Sequence, residues 1–185
     1  MAKIKGSAIR GALKFVKESE APHQIPDIVE KLPESVAPVY DQRILAADWY
    51  PYEAYGKLLR VVDEELGRGD LSLMPELGRF GARRDIRGVL KIIATFSSVE
   101  KLIARGDWFW HRYCDTGESV VLESESGRAV MALKDFPGVA IQHCHLLTGW
   151  FEGLASAVGG KAVRVVKTRC VHEGDSWCEW DARWS

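Results

Sequence analysis

The sequence predicts an α+β fold in which a helical layer packs on an antiparallel β-sheet of about four strands. Apolar residues recur at helical spacing through most of the chain before Gly117. After Gly117 the pattern changes to short β-branched and apolar runs separated by turn residues. The 185 residues are 46% apolar, which is enough to bury a substantial core, so we expect one domain over 1–185.

The predicted helices follow from apolar spacing and from the residues that begin and end them. An N-terminal helical layer over 1–38 contains two short helices, and Pro51 precedes a longer helix that stops at Gly67. Ser98 supplies an N-cap for a later helix, with Glu100 in its first turn. The predicted helical ranges in this part are 9–17, 25–31, 55–66, 73–84, 87–96 and 98–105.

The C-terminal part is predicted to hold two hairpins with a helix between them. Glu125-Ser126-Gly127 separates strands over 119–124 and 128–133, and a turn over 172–175 separates strands over 162–170 and 177–184. The helix opens at Pro137-Gly138, closes at Gly159-Gly160, and carries two glycines that would allow a close approach to another element. In the last strand Cys178, Trp180, Ala182 and Trp184 share one face, which we expect to be core.

Composition excludes several classes of function. With 25 basic and 26 acidic residues the formal net charge is -1, so no net field attracts nucleic acid or an anionic membrane. The sequence has neither the apolar run of a signal peptide nor that of a membrane span, and we expect a cytoplasmic protein. The four cysteines are too few for the disulfide frame of a small secreted protein, so we expect reduced thiols or metal ligands.

Three of these cysteines form the most specific constellation. Cys144 lies on the C-terminal helix, and Cys170 and Cys178 bracket the turn of the last hairpin, so three thiols on neighbouring elements could converge. A structural zinc site would need a fourth ligand, for which His143, His145, His172 and Glu173 are the local candidates. The alternative is that each cysteine is a small buried hydrophobic residue.

At this point the residues resemble a known family. The run from Cys144 through GWFEGLASAVGG to VVKTRCVHEGDSWCEW resembles the C-terminal half of the 4-vinyl reductase domain family. The segments Trp49–Glu53 and Trp110–Asp115, with Gly117, Phe136-Pro137 and the closing Trp184, look like an uncharacterised myxobacterial family of the same group. The resemblance covers roughly residues 40–184.

The resemblance implies the fold of the nitric-oxide-signalling and Golgi-transport ligand-binding type, which heme-based nitric oxide sensors and the small TRAPP subunits share. In the sensor domains of phenol- and toluene-responsive activators, the matching cysteines bind zinc, with a glutamate three positions before the second cysteine. Here that position is Lys167, whose charge opposes a cation, so zinc stays an alternative. His111 or His143 could ligate heme iron, but a lone histidine is more often a hydrogen-bonded core residue, and we expect no heme and no other resident cofactor.

Aromatic residues mark the candidate ligand pocket. Aromatic walls with one or two polar groups suit a small planar or acyl ligand. The candidates to line the pocket are Trp108, Trp110, His111, Tyr113, Trp150 and Phe151. The alternative is that these rings only fill the core.

No residue set predicts catalysis. Neighbours on a helix do not face each other, so His143 and His145 are poorly placed as bases for Cys144, and no glycine-rich phosphate loop precedes a helix. We therefore predict a regulatory module that binds a small apolar ligand, aromatic or acyl, and signals through a separate partner protein. The alternative is a TRAPP-like adaptor without a ligand, and the weakest is a reductase or lyase suggested by the family name alone.

A charge pattern suggests a homodimer. Four arginines lie at near-helical spacing and could bind an anionic ligand or partner, with a solvated helix face as the alternative: Arg79, Arg83, Arg84 and Arg87. On a second copy of the chain, Asp63, Glu64 and Glu65 could pair with them.

Overall fold

The structure is a computed structural model that describes residues 1–19, 25–87 and 98–185. The predicted α+β architecture, with helices packed on a four-stranded antiparallel sheet, is confirmed. Apart from Arg87, the helix predicted over 87–96 lies outside the described residues. The helices are α1 (Gly6–Glu18), α2 (Ile25–Glu30), α3 (Ala37–Tyr40), α4 (Tyr52–Leu66), α5 (Met74–Arg87), α6 (Val99–Ile103), α7 (Gly106–Trp110) and α8 (Ile141–Ala157). The strands are β1 (Lys3–Lys5), β2 (Trp49–Pro51), β3 (Glu118–Glu125), β4 (Arg128–Lys134), β5 (Arg164–Arg169) and β6 (Cys178–Arg183).

The main sheet has the order β3-β4-β6-β5, and every neighbouring pair is antiparallel. Strands β4 and β6 are central, and their register pairs Leu133 with Cys178 and Met131 with Trp180. The side chains of Cys178, Trp180 and Ala182 are buried, because alternate residues of a strand point to the same face. The sheet therefore presents one apolar face to the helices.

A second, two-stranded sheet ties the N-terminus to the middle of the chain. Strand β1 pairs antiparallel with β2, and Ile4 also forms a bridge to Cys114. The amide of Lys5 donates to the carbonyl of Tyr113 at 2.8 Å. The sequence did not predict these strands, because three residues are too few to show an alternating pattern.

Helix α8 is the central helix of the molecule. It packs along α5 on one side and faces β5 and β6 on the other. At the crossing, a Cβ atom on Gly149 would lie 1.8 Å from the carbonyl oxygen of Pro75, and one on Gly78 would lie 2.0 Å from that of Leu146. The two backbones thus touch where neither helix has a side chain.

The structure removes one residue from the acidic face that was predicted for a homodimer. Asp63 is buried and accepts a hydrogen bond from the amide of Leu71 at 3.2 Å, so it is not available to a second copy. Arg79 pairs with Glu152 at 2.8 Å, and Arg84 pairs with Asp85 at 2.9 Å. Of the predicted arginine cluster, these two members therefore already have acidic partners within the chain.

Within the described ranges, no helix combines the length and the apolar character that crossing a membrane requires.

The glycines of α5 allow a matched test of the helix crossing. Gly78→Ala is expected to lower the free energy of unfolding by about 3 kcal/mol, because its methyl group would meet backbone that cannot move aside. Gly81→Ala places its Cβ 3.7 Å from Trp150, an ordinary contact, and should be neutral or stabilising by up to about 1 kcal/mol. Denaturant unfolding of the two variants measures the difference. Equal stabilities would contradict the close crossing.

Candidate functional site

A largely apolar, partly open cavity of about 60 Å³ lies among the helices. Residues of β1, α1, α4, α5, α7 and α8 line it, together with the segment that follows α7. Its apolar walls come mainly from Ile4, Ala8, Ala12, Leu77, Leu146, Leu147, Phe109, Trp110 and Trp150. Its polar groups are those of Tyr55, Arg84, Asp85, Tyr113, Cys114 and His143. The cavity thus combines apolar walls with a few polar groups, as small-molecule sites do.

His143 is the imidazole in the wall of the cavity, and its pKa is strongly shifted. Burial lowers the pKa of its imidazole from 6.5 to about 3, because the charged form loses its hydration. Its ring stacks on that of Trp110 with 5.8 Å between the ring centroids. The imidazole is therefore neutral at physiological pH, with one ring nitrogen that donates and one that accepts.

The hydrogen bonds around Tyr52 assign the tautomer of His143. The hydroxyl of Tyr52 accepts the amide of Ala140 at 3.1 Å and lies 2.8 Å from Nδ1 of His143. Within the described part of the chain, Nδ1 is the acceptor beside the hydroxyl proton, so we assign that proton to Nδ1 and the proton of the imidazole to Nε2. Among the described residues Nε2 has no hydrogen-bond partner. His143 thus holds an unused donor in the wall of the cavity.

Three of the predicted pocket residues line this cavity, namely Trp110, Tyr113 and Trp150. Trp110 is fixed by a hydrogen bond from its indole nitrogen to the carbonyl of Thr116 at 2.8 Å. The indole nitrogen of Trp150 donates to Oδ2 of Asp85 at 3.2 Å.

A second apolar cavity of about 40 Å³ lies between the helices and the sheet. It shares the walls formed by Phe109, Trp110 and Trp150 with the first cavity. The predicted residue Phe151 lines this second space and packs edge-on against Trp180, with 5.4 Å between the ring centroids. Three aromatic side chains are therefore shared between the two spaces.

The structure does not place Trp108 and His111 at either cavity. Trp108 is 46% exposed and lies under the guanidinium of Arg112, and His111 faces Asp107 at 3.4 Å on the surface. The reason is α7, which the sequence did not predict: its helical turn directs Phe109 and Trp110 inward and its other aromatic residues outward. Those two predicted positions are therefore corrected.

Sequence reasoning missed several cavity residues. Arg84 was placed in an arginine cluster for an anionic ligand or partner, with a solvated helix face as the alternative, and not in the pocket. Its guanidinium lies against Gly11, where a Cβ atom would come within 2.1 Å of Nη1. Asp85 and Phe109 were not singled out, and His143 was considered as a ligand for iron or zinc and as a base for Cys144, but not as a pocket residue. A helix of charged residues with Gly78 and Gly81 on one face was the available signal that this face is packed.

The three predicted metal-ligating cysteines do converge. The sulphur atoms of Cys144, Cys170 and Cys178 all lie within 4.8 Å of one another, and all three residues are buried. The sulphurs of Cys144 and Cys178 are 3.3 Å apart. This contact raises the pKa of Cys144 and lowers that of Cys178, because one proton bridges the two sulphurs.

Lys167 lies beside this thiol cluster, and its positive charge favours thiolate at Cys144 and Cys178. Its ammonium group contacts Nε2 of His145 at 3.0 Å and the carboxylate of Glu173 at 3.5 Å. Two other candidate fourth ligands are engaged elsewhere: His143 with Tyr52, and His172 with the carbonyl of Val139 at 2.8 Å. His145 and Glu173 remain as the candidates to complete a tetrahedral metal site.

Comparison with known proteins identifies the fold. No family model matches the sequence, and no curated protein matches it. The crystal structure of an H-NOX protein from S. oneidensis in the Fe(II)NO ligation state matches with a TM-score of 0.76 and 14% identity, over 98% of this chain and 99% of that chain. The Fe(II) unliganded H-NOX protein from K. algicida matches with a TM-score of 0.76 and 13% identity, over 98% and 96%. A structure from a study of heme distortion in the H-NOX family gives 0.73 and 12%, over 98% and 95%.

These similarities show that the chain shares the H-NOX fold over nearly its whole length. They overturn the prediction that heme is not to be expected, because the solved structures with this fold include heme proteins. A resemblance to the 4-vinyl reductase family stays a prediction from the sequence.

Burial of His143 predicts a specific acid sensitivity. Between pH 6.5 and about 3, His143 is protonated in the unfolded chain but not in the folded protein. Proton binding therefore favours the unfolded state, and the free energy of unfolding falls as the pH falls. The loss approaches about 1.4 kcal/mol per pH unit in this window. The free energy of unfolding is measured against pH for wild type, His143→Gln and the exposed control His111→Gln. Only His143→Gln should lose stability less steeply as the pH falls. The same slope in all three would contradict a neutral, buried His143.

Proposed function

We propose that this chain is a non-catalytic sensor domain that holds a ligand in the cavity beside His143. The observation that carries the proposal is the Nε2 donor of a neutral imidazole in the wall of an otherwise largely apolar cavity. A ligand with a hydrogen-bond acceptor in this cavity would bind that donor. The shared fold, whose solved examples include heme proteins, supports a ligand-binding role.

The chemistry of the cavity favours binding over catalysis. With its pKa lowered to about 3, His143 cannot take up a proton near neutral pH and so cannot serve as a general base. Cys114 is the thiol that lines the cavity, and burial raises its pKa, which keeps it protonated and unreactive. These groups can hold a ligand by hydrogen bonds and cannot activate it.

Heme is the first ligand to test, because of the fold. When bound, ferrous heme would supply an iron atom able to take a diatomic gas. His143 is the imidazole in the cavity wall, but iron needs the lone pair of Nε2, so the proton would have to move to Nδ1 and the Tyr52 hydroxyl would lose its acceptor. The cavity of about 60 Å³ is also smaller than a porphyrin, so the surrounding helices would have to separate.

A smaller ligand requires less rearrangement than heme. The cavity of about 60 Å³ is below the roughly 150 Å³ of a cavity that holds benzene, so its walls would still have to move. Aromatic walls with one donor suit an aromatic or acyl compound that carries a carbonyl or carboxylate group. The nearby second cavity offers further apolar space if Trp150 or Phe109 moves. We therefore propose that the ligand has an apolar body and includes an acceptor for Nε2 of His143.

The signal would leave through α8. This helix carries His143 and Trp150 in the cavity wall, and it packs on both α5 and the sheet. A ligand that binds one arrangement of α5 and α8 more tightly than another shifts the population toward that arrangement. A partner protein that recognises the shifted surface would read the signal.

The thiol cluster supports a second, separate proposal, a structural metal site. Three sulphurs within 4.8 Å on α8 and on the two sides of the last hairpin match the thiolate ligands that zinc prefers. Such a site would join α8 to the sheet. Lys167 would have to release His145 or Glu173, so that one of them could become the fourth ligand.

The cavity proposal is tested by ligand titration of wild type, His143→Ala and the surface control His111→Ala. The probes are ferric heme, followed by the Soret band, and the uncharged aromatic amide phenylacetamide, followed by fluorescence of the cavity tryptophans. We expect at least one probe to bind wild type and His111→Ala, with affinity lowered about tenfold or more in His143→Ala, because that variant lacks the Nε2 donor. Heme bound through His143 would make the chain a heme sensor, whereas binding of the amide alone would make it a sensor of small organic compounds.

Two results would contradict the proposal. If neither probe binds, the interior is closed and the adaptor alternative is favoured. If binding is the same in His143→Ala and wild type, the ligand lies elsewhere.

The metal proposal predicts one zinc per chain after purification in the presence of zinc, by metal analysis together with native mass spectrometry. Cys170→Ser should lose the metal and lower the melting temperature, because it removes one of three thiolates. Cys114→Ser is the matched control, since this fourth cysteine is outside the cluster, and it should retain the metal. Metal-free wild type, or equal zinc in both variants, would rule the site out.

A further inference from the structure

The wall of the cavity contains a positively charged side chain, that of Arg84. Binding of an uncharged apolar ligand would not require such a charge. The side chain of Arg84 is 25% exposed, and its guanidinium occupies the space that Gly11 leaves open on α1. Arginine in an apolar wall is costly unless it is paired. Its partner in the structure is the adjacent Asp85, whose Oδ1 accepts from Nη2 at 2.9 Å and from Nε at 3.3 Å.

Side chains from separate parts of the fold surround the carboxylate of Asp85 as hydrogen-bond donors. Its side chain is 8% exposed. Besides Arg84 on α5, the indole of Trp150 on α8 donates to Oδ2 at 3.2 Å. Tyr113, after α7, is close enough that its pKa is raised by burial and then by the Asp85 carboxylate. All of these side chains line the cavity, so one carboxylate is held by donors that also face the ligand space.

We propose that the ligand carries a carboxylate, which replaces Asp85 as the acceptor for Arg84 and Trp150. This inference rests on the proposed function, in that it requires a ligand in the cavity, and it names the chemical class of that ligand. The exchange keeps the charge of the wall balanced, since Asp85 turns toward solvent as the ligand carboxylate takes its place beside the guanidinium. Arginine binds carboxylates with paired, charge-assisted hydrogen bonds, which makes this recognition specific.

The exchange also explains how binding of a ligand in the cavity would affect helix α8. In the structure the bond from Trp150 to Asp85 links α8 to α5 within the protein. When the ligand takes the place of Asp85, that link runs through the ligand instead. The arrangement of α5 and α8 would then depend on whether a carboxylate is present.

Matched probe pairs test the carboxylate directly: phenylacetate against phenylacetamide, decanoate against decanamide, and ferric heme against its dimethyl ester. Each pair shares its apolar body and differs in the charged group. In whichever pair binds, we expect the acid to bind wild type about tenfold more tightly than its neutral counterpart. The pair that binds identifies the source of the carboxylate as a small aromatic acid, a fatty acid or a porphyrin.

Two variants with opposite expected effects complete the test. Arg84→Met should abolish the preference for the acid, whereas Asp85→Asn should strengthen acid binding, because it removes the competing internal carboxylate. Arg83→Met, on the exposed side of the same helix, is the control and should keep the wild-type preference. Thermal unfolding checks that each variant is folded.

The outcomes separate the two proposals. The carboxylate inference is overturned if the acid and its neutral counterpart bind wild type with equal affinity, and if Arg84→Met and Asp85→Asn do not change either affinity. The cavity proposal would still stand in that case. If no acid and no neutral probe binds, the cavity proposal itself fails.

Discussion

The direct contact between the backbones of α5 and α8 is the constraint on which the candidate site depends. Gly78 and Gly149 leave no side chain between the two helices at the points where each meets carbonyl oxygen of the other. The residues on either side of the contact, including Leu77, Arg84 and Trp150, then border the same cavity. Glycine is unfavourable within a helix, so its presence at both contact points is explained by this packing and not by helix propensity.

Within this frame, Tyr52 makes it possible to bury a histidine. Its hydroxyl satisfies both the amide of Ala140, which precedes α8, and Nδ1 of His143 in the first turn of that helix. Burial keeps the imidazole neutral, and the bond from Tyr52 on α4 to Nδ1 fixes its orientation. One ring nitrogen then remains for a ligand, so the same interaction that stabilises the start of α8 also defines the polar character of the cavity.

The shared fold and the individual residues give different kinds of information. The solved structures that share this fold include heme proteins, and the earlier expectation against heme is corrected on that ground. The residues describe what a ligand must offer, namely an apolar body and acceptors for His143 and Arg84, because function depends on the groups in the site and not on the architecture that carries it. The thiol cluster lies apart from these groups, on α8 and the last hairpin, and its proposed role is to hold those two elements together.

The sequence by itself determined the elements whose signal is local. The alternation of Cys178, Trp180 and Ala182 predicted the buried face of β6, the apolar stripe predicted α8, and turn residues predicted both hairpins, because each pattern follows from the geometry of one strand, helix or turn. The convergence of three cysteines was suggested by their spacing. Only the tertiary structure decided that α7 turns Trp108 and His111 outward, and that Arg84 enters the cavity through the space left by Gly11. Those outcomes depend on which distant element covers each face, and the spacing of residues along one element carries no information about that.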